Sequence, residues 1–301
     1  MESTRARTQV LIAAVLFGTT GTAQSLGPDI EPLAVGTARI VVGAALLLTL
    51  ALWVQGGLRL GDGDRRLILL AGGFVAVYQA SFFAAVAQTG VAVGTVVALG
   101  SAPAWTGLFG RAFAGERLAR RWFAATGLAC VGVVLLTLGG GAGGTVSAPG
   151  VALALASGAG YAGYAVIGKH LLDRGGTPES VMAAVFGTGA LILLPALALV
   201  PAHNLLTPQG LALAAYLGVL PTAVAYVLFA RGLRRIGAGE TATLTLAEPV
   251  TAMVLGFAVL GERPGAAAVA GAALVLAGLA LLALRSEPSP RVRSRPAEAP
   301  A

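Results

Sequence analysis

The segment LAEPVTAMVLGFAVLGERP, from Leu246 to Pro264, is almost wholly apolar, yet it carries a carboxylate beside a helix-breaking proline. These two residues are Glu248 and Pro249. An ionised acid at the centre of a membrane helix costs about 2.5–3.5 kcal/mol on insertion scales, and such acids usually have a function. Two hypotheses follow. Glu248 takes part in function, or it is a protonated acid that hydrogen-bonds a neighbouring helix and serves the fold alone.

The whole chain has the same apolar character as this segment. Of its 301 residues, 56% are hydrophobic and 11% are charged, and the mean hydropathy is +0.84. Soluble domains carry about 25% charged residues. The 43 glycines also fit membrane helices, in which Gly is frequent. The composition therefore predicts an all-α integral membrane protein embedded in a lipid bilayer.

Long apolar runs divide the chain into ten predicted spans of the length that a bilayer requires. Their continuous apolar character differs from the alternation of a membrane β-barrel. The spans are residues 8–26, 33–55, 67–88, 92–113, 120–138, 150–171, 179–200, 209–230, 238–260 and 266–285.

The positive charges predict an orientation, because Lys and Arg are enriched in cytoplasmic loops. With a cytoplasmic N-terminus, every Lys and Arg except Arg39 and Arg263 falls on the cytoplasmic side. We therefore expect a multi-pass protein of the bacterial inner (plasma) membrane with both termini in the cytoplasm. The net charge of +7 is spread over many loops, which favours contacts with anionic lipid and argues against a nucleic-acid partner. The Pro- and Arg-rich tail, 286–301, is predicted to be disordered.

The second half of the chain repeats the first at an offset of 146 residues. Pro103 aligns with Pro249, Gly132 with Gly278, and the Gly-Glu-Arg at 115–117 with the one at 261–263. Each half holds five predicted spans, and an odd number makes the halves cross the membrane in opposite senses. The sequence thus predicts two inverted five-helix repeats, over residues 8–138 and 150–285, as in many secondary transporters.

Three stretches resemble the EamA domains of the drug/metabolite transporter superfamily. They are the segment Leu246–Pro264, its first-half counterpart SAPAWTGLFGRAFAGERLARRWFAATGLACVGVVLL, and the run ARIVVGAALLLTL. The resemblance covers nearly residues 8–285. It implies ten helices, cytoplasmic termini and transport of small organic solutes. It also implies an acid at Glu248 and an arginine at Arg39, and export as the direction of transport.

Fourteen residues are candidates for a substrate or proton-coupling site. Proton coupling needs a carboxyl group whose protonation changes as water or a cation reaches it, which suits Glu248. Arg39 could attract a substrate carboxylate, pair with Glu248 or extend to the outer interface. Pro249 and Pro103 each free a backbone carbonyl, which lines a cavity or merely accompanies a packing kink. Each remaining candidate is a cavity residue or a helix–helix hydrogen bond: Thr20, Gln24, Tyr78, Gln79, Ser101, Trp105, Tyr161, Tyr164, Tyr226 and Thr245.

These features favour a proton-linked secondary transporter that exports amino acids or other small metabolites by alternating access. A passive channel or uniporter for small solutes is the alternative. The sequence has no phosphate-binding loop and no His/Cys/Asp cluster with metal-ligand spacing, so we expect neither an enzyme nor a cofactor or metal. The sequence leaves open the identity of the solute, the direction of transport, the coupling ion with its stoichiometry, and the choice between monomer and homodimer.

Overall fold

A computed structural model describes residues 2–62, 65–114, 118–138, 147–261, 263 and 265–283. Within these ranges the chain forms helices joined by turns, without a strand. The α-helices are α1 (Glu2–Leu26), α2 (Pro32–Gln55), α3 (Arg65–Ala114), α4 (Arg120–Leu138), α5 (Ala148–Asp173), α6 (Pro178–Leu193), α7 (Pro208–Gly218), α8 (Ala225–Leu233), α9 (Ala238–Leu244), α10 (Ala247–Leu260) and α11 (Ala266–Ala283). The predicted tail, 286–301, lies outside the described residues.

The helices have the length and surface of a membrane bundle. Seven stretches in the described ranges are long and apolar enough to cross a bilayer, and Ala266–Leu281 is a shorter apolar helix. Large apolar side chains cover the outside: Trp53 is 87% exposed, Leu199 83% and Phe113 78%. In water such a surface would drive association, whereas lipid accepts it. The all-α multi-pass membrane fold is therefore confirmed, while the count of ten spans stays a prediction.

The long helix α3 is not straight. A Cβ built on Gly94 would lie 3.2 Å from the Cα of Val86, although residues eight apart in a straight helix are about 12 Å apart. The chain therefore reverses between Val86 and Gly94. Helix α5 packs against both arms, since Gly160 faces the backbone of Tyr78 and Gly158 faces that of Ala98.

Prolines interrupt the helices in the second half. Pro221 lies in a π-helical segment, Val219–Val224, between α7 and α8, where the Thr222 hydroxyl donates to the Leu217 carbonyl at 2.7 Å. Pro195 lies in a 3₁₀ turn, Leu194–Ala198, which follows α6. In both places the missing proline N–H prevents a regular helix.

The starts of α1, α6 and α9 and the ends of α2 and α8 lie at one end of the bundle, which we call the N-terminal face. Its helices are tied together by polar contacts. Glu179 accepts from Gln55 Nε2 at 3.2 Å and from Arg231 Nη2 at 2.6 Å. Arg7 of α1 pairs with Glu240 of α9 at 2.7 Å.

Helices α4 and α11 approach so closely that only glycine fits at two points. A Cβ on Gly132 would lie 2.6 Å from the Gly271 carbonyl oxygen, and one on Gly278 would lie 2.7 Å from that of Ala125. Position 132 thus lies beside 271, and 278 beside 125, so the two helices run antiparallel. Under the 146-residue offset Gly132 corresponds to Gly278 and Ala125 to Gly271, so each contact is the counterpart of the other. A two-fold relation between α4 and α11 produces such a reciprocal pair.

This seam gives a first prediction. Replacing Gly132 by Ala places a methyl group against backbone atoms of α11 that cannot rotate away, so we expect a lower midpoint of thermal unfolding in detergent. Overpacking of this kind costs about 1–3 kcal/mol. The control is Gly127→Ala on the same helix, where a Cβ meets no atom within 4 Å and alanine favours the helix. Equal melting of the two variants would contradict the close contact.

Candidate functional site

Glu248 lies where two short helices, α9 and α10, meet. Helix α9 ends at Leu244 and α10 begins at Ala247, so Glu248 belongs to the first turn of α10. In a continuous helix the Thr245 carbonyl would accept from residue 249, but Pro249 has no N–H. The carbonyl instead accepts from Glu248 N at 2.9 Å. The proline therefore accounts for the break, and the break places the acid at a helix N-terminus, which favours negative charge.

Glu248 lies inside the helix bundle. Its carboxylate lies deep within the bundle yet the residue keeps accessible surface. Helix α1 packs directly on this turn, because a Cβ at Gly18 would lie 2.8 Å from the Glu248 carbonyl oxygen. Among the described residues, no hydrogen bond or ion pair is made by the Glu248 carboxylate.

Arg39 of α2 faces the same interior. Its Nη2 donates to Gln79 Oε1 at 3.1 Å, and Gln79 Nε2 donates to the Gly36 carbonyl at 3.4 Å. The guanidinium lies beside the Tyr78 hydroxyl and interacts electrostatically with Glu248. Its Nε is buried and has no hydrogen-bond partner in the described part of the chain. A buried unpaired N–H of a cation is costly, and an acceptor group on a ligand would satisfy it.

Four tyrosines surround these charges. The rings of Tyr78 and Tyr161 are 6.1 Å apart, and those of Tyr161 and Tyr164 are 5.1 Å apart. The Tyr161 hydroxyl lies 3.3 Å from Thr245 Oγ1, and the Tyr164 hydroxyl donates to that of Tyr226 at 3.5 Å. The structure thus brings together eight predicted site residues, which we call the central site: Arg39, Tyr78, Gln79, Tyr161, Tyr164, Tyr226, Thr245 and Glu248.

Other candidates make no hydrogen bond or ring contact with this group among the described residues. The Ser101 hydroxyl donates to the Ala98 carbonyl of its own helix at 3.2 Å, and Trp105 packs on Phe109 at 5.8 Å. Gln24 lines a cavity of about 290 Å³ at the face opposite the N-terminal face. Thr20 is half-buried on α1 and makes no hydrogen bond to the central site within the described ranges.

The two prolines of the repeat differ in their effect. Pro103 is buried within α3, which continues through it. Pro249 accompanies the break between α9 and α10. Of these two prolines, Pro249 alone therefore lies at a helix break, and that break is beside the candidate acid Glu248.

Three phenylalanines that the sequence did not point to complete the central site. Phe186 lies 4.1 Å from the Tyr226 ring, Phe17 lies 4.9 Å from the same ring, and Phe229 lies 6.5 Å from the Tyr164 ring. A phenylalanine is ordinary in a membrane helix, so it carries little signal in a sequence. Phe17 and Phe229 share predicted spans with the candidates Thr20, Gln24 and Tyr226, whereas the span that holds Phe186 contains no candidate.

Comparisons with known proteins agree with the fold and place the chain in a family. The EamA-like transporter family matches residues 6–138 and 148–284. The chain is 40% identical to an uncharacterized transporter, YwfM, of Bacillus subtilis over 91% of this chain and 92% of that one. It is 34% identical to a probable terminal-alkyne amino-acid exporter of Streptantibioticus cattleyicolor over 65% of each. A solved crystal structure shares its fold with a TM-score of 0.76 and 24% identity, over 93% of this chain and 98% of the other. The chain belongs to the EamA-like transporter family.

Proposed function

We propose that this transporter exports small organic solutes, with amino acids as the leading class, by proton-linked alternating access. The observation that carries the proposal is the pair formed by Arg39 and Glu248. Both side chains lie within the bundle and beside tyrosines. Among the described residues, the Glu248 carboxylate makes no hydrogen bond or ion pair, and Arg39 Nε has no hydrogen-bond partner.

This pair suits a solute that carries both charges. The fork of Arg39 can bind a carboxylate, and Glu248 can attract an ammonium group or take a proton. Tyrosine faces add favourable contacts to cations and apolar groups. One relative is named as a probable amino-acid exporter, which supports the same class of solute here.

We further propose that residues 8–138 and 150–285 are inverted repeats that exchange conformations. Two observations support this. The family model matches the chain twice, and α4 and α11 run antiparallel with reciprocal contacts at positions 146 residues apart. Inverted repeats commonly enclose a site near the bilayer midplane, between the halves.

The proposed orientation places the N-terminal face in the cytoplasm of a bacterial cell. The positive charges Arg5, Arg7, Arg59, Arg231 and Arg234 belong to the helix ends and loops of that face. Anionic lipid and the positive-inside rule favour this side for them.

The role of Glu248 can be tested with Glu248→Gln in proteoliposomes. The labelled solute is the amino acid, among the twenty common ones, that most raises the midpoint of thermal unfolding of the wild-type protein. For one proton per solute, a gradient of about one pH unit supports roughly tenfold accumulation, since about 1.4 kcal/mol is a factor of ten. We expect the variant to lose this accumulation and to keep exchange of labelled for unlabelled solute.

The control for this experiment is Glu31→Gln, the same chemical change at an exposed residue before α2 whose side chain makes no cap hydrogen bond. It should accumulate solute like the wild type. Unchanged pH-driven accumulation in Glu248→Gln would contradict proton coupling at this residue. Flux that never exceeds equilibration in the wild type would favour a passive uniporter.

The role of Arg39 is tested by comparing an amino acid with its carboxamide analogue. A charge-assisted hydrogen bond contributes about 1.5–3 kcal/mol, so wild-type protein should bind the acid roughly tenfold or more tighter than the amide. In Arg39→Gln this preference should disappear, while Arg263→Gln, at an exposed arginine, should keep it. A preference that survives in Arg39→Gln would show that the carboxylate binds elsewhere.

A further inference from the structure

A second cavity lies at the N-terminal face, between the start of α1, the start of α6 and the end of α8. Its volume is about 420 Å³, and it is half open to the outside. Six charged side chains line it: Glu2, Arg5, Glu179, Arg231, Arg234 and Arg235. We call this cavity the vestibule. It is distinct from the central site, with which it shares no lining residue.

The vestibule carries an excess of positive charge. Arg231 pairs with Glu179 at 2.6 Å, and Arg235 pairs with Glu2 at 2.8 Å. No carboxylate in the described ranges pairs with the remaining two arginines, Arg5 and Arg234. Two cationic groups thus face one concave space without a neutralising acid, and concave walls strengthen their combined field.

The vestibule lies next to the central site along the same three helices. Phe186 follows Glu179 by seven residues on α6, a rise of about 10 Å. Phe17 continues α1 inward from the vestibule residue Gln9, and Tyr226 precedes Arg231 on α8. The rings of Phe17 and Phe186 both contact that of Tyr226, so these three central-site rings lie inward of the vestibule.

We propose that the vestibule binds a carboxylate or phosphate group through Arg5 and Arg234, and that its occupant is a soluble organic anion or zwitterion awaiting transport. This inference rests on the proposed function for the direction of movement, but not for the binding itself. A lipid phosphate offers the same chemistry from another source. The soluble ligand is favoured because the lining comes from three helix ends around an open cavity.

Binding is measured with malonate as the probe, added to the purified full-length protein in a neutral detergent. Chloride at equal ionic strength is the reference, because exposed charges are screened within about 8–10 Å at physiological salt. We expect malonate to raise the unfolding midpoint in a saturable way. The double variant Arg5→Gln/Arg234→Gln should bind malonate about fivefold to tenfold more weakly, as expected when charge-assisted hydrogen bonds at a partly exposed site are lost.

A matched control separates this site from others. Arg120→Gln/Arg121→Gln removes two arginines at the start of α4, outside the vestibule, and should leave the malonate shift unchanged. Equal malonate binding by the vestibule variant and the wild type would overturn the proposal.

A lipid arm distinguishes the two sources of the anion. The shift is repeated in nanodiscs of phosphatidylcholine alone and of an equal mixture of phosphatidylcholine and phosphatidylglycerol. A soluble-anion site should give the same malonate shift in both. Loss of the shift in the mixed nanodiscs, together with phosphatidylglycerol that co-purifies with wild type and not with the double variant, would overturn the soluble ligand in favour of a lipid headgroup. Because these assays measure binding, they stay informative even if Glu248 plays no part in coupling.

Discussion

A backbone inside a bilayer has to satisfy its own hydrogen bonds, because no water is available to do so. The central site lies where a proline prevents this inside a predicted span, beside an acid. Pro249 cannot donate to the Thr245 carbonyl, so α9 ends and α10 begins within a single predicted span. The N-terminal turn of α10 then offers backbone N–H groups and a favourable dipole to the Glu248 region. Pro249 and Glu248 therefore act together, because the helix break at the proline lowers the cost of a negative charge beside it.

The buried guanidinium of Arg39 also has to find hydrogen-bond partners inside the protein, and it carries the charge opposite to that of Glu248. A fold-only role would favour full pairing of its guanidinium, because an unsatisfied buried donor is destabilising. Gln79 satisfies Nη2, while Nε has no partner among the described residues. Tyrosine hydroxyls nearby supply polar surface without fixed charge. A buried donor without a partner is not confined to the central site, since Trp122 Nε1 is another among the described residues. Arg39 differs from it in carrying a full positive charge, which makes an unmet hydrogen bond more costly.

Sequence reasoning located the helices well where apolar runs end at turn residues. The span predicted over 33–55 is α2, Pro32–Gln55, and the one over 150–171 is α5, Ala148–Asp173. The interruptions were harder to predict, because a proline fixes only a missing donor. Whether the chain forms a 3₁₀ turn, a π-helical segment or a full break at a proline depends on how the neighbouring helices pack. Arg39 and Glu248 stood out as charges in apolar runs, whereas Phe17 and Phe186 gained meaning only from the rings that they contact.

The contacts between the first and second halves of the chain differ in kind. Helices α4 and α11 meet backbone to backbone at Gly132 and Gly278, and such a seam cannot open without losing close packing on both sides. At the N-terminal face α1 and α8 also approach closely, since a Cβ on Gly232 would lie 2.8 Å from the Ala6 carbonyl oxygen. Ion pairs join the halves at the same face, Arg7 with Glu240 and Arg235 with Glu2. Partly exposed ion pairs contribute about 0–1 kcal/mol each, so the close packing of the helices holds this face together more than the charges do.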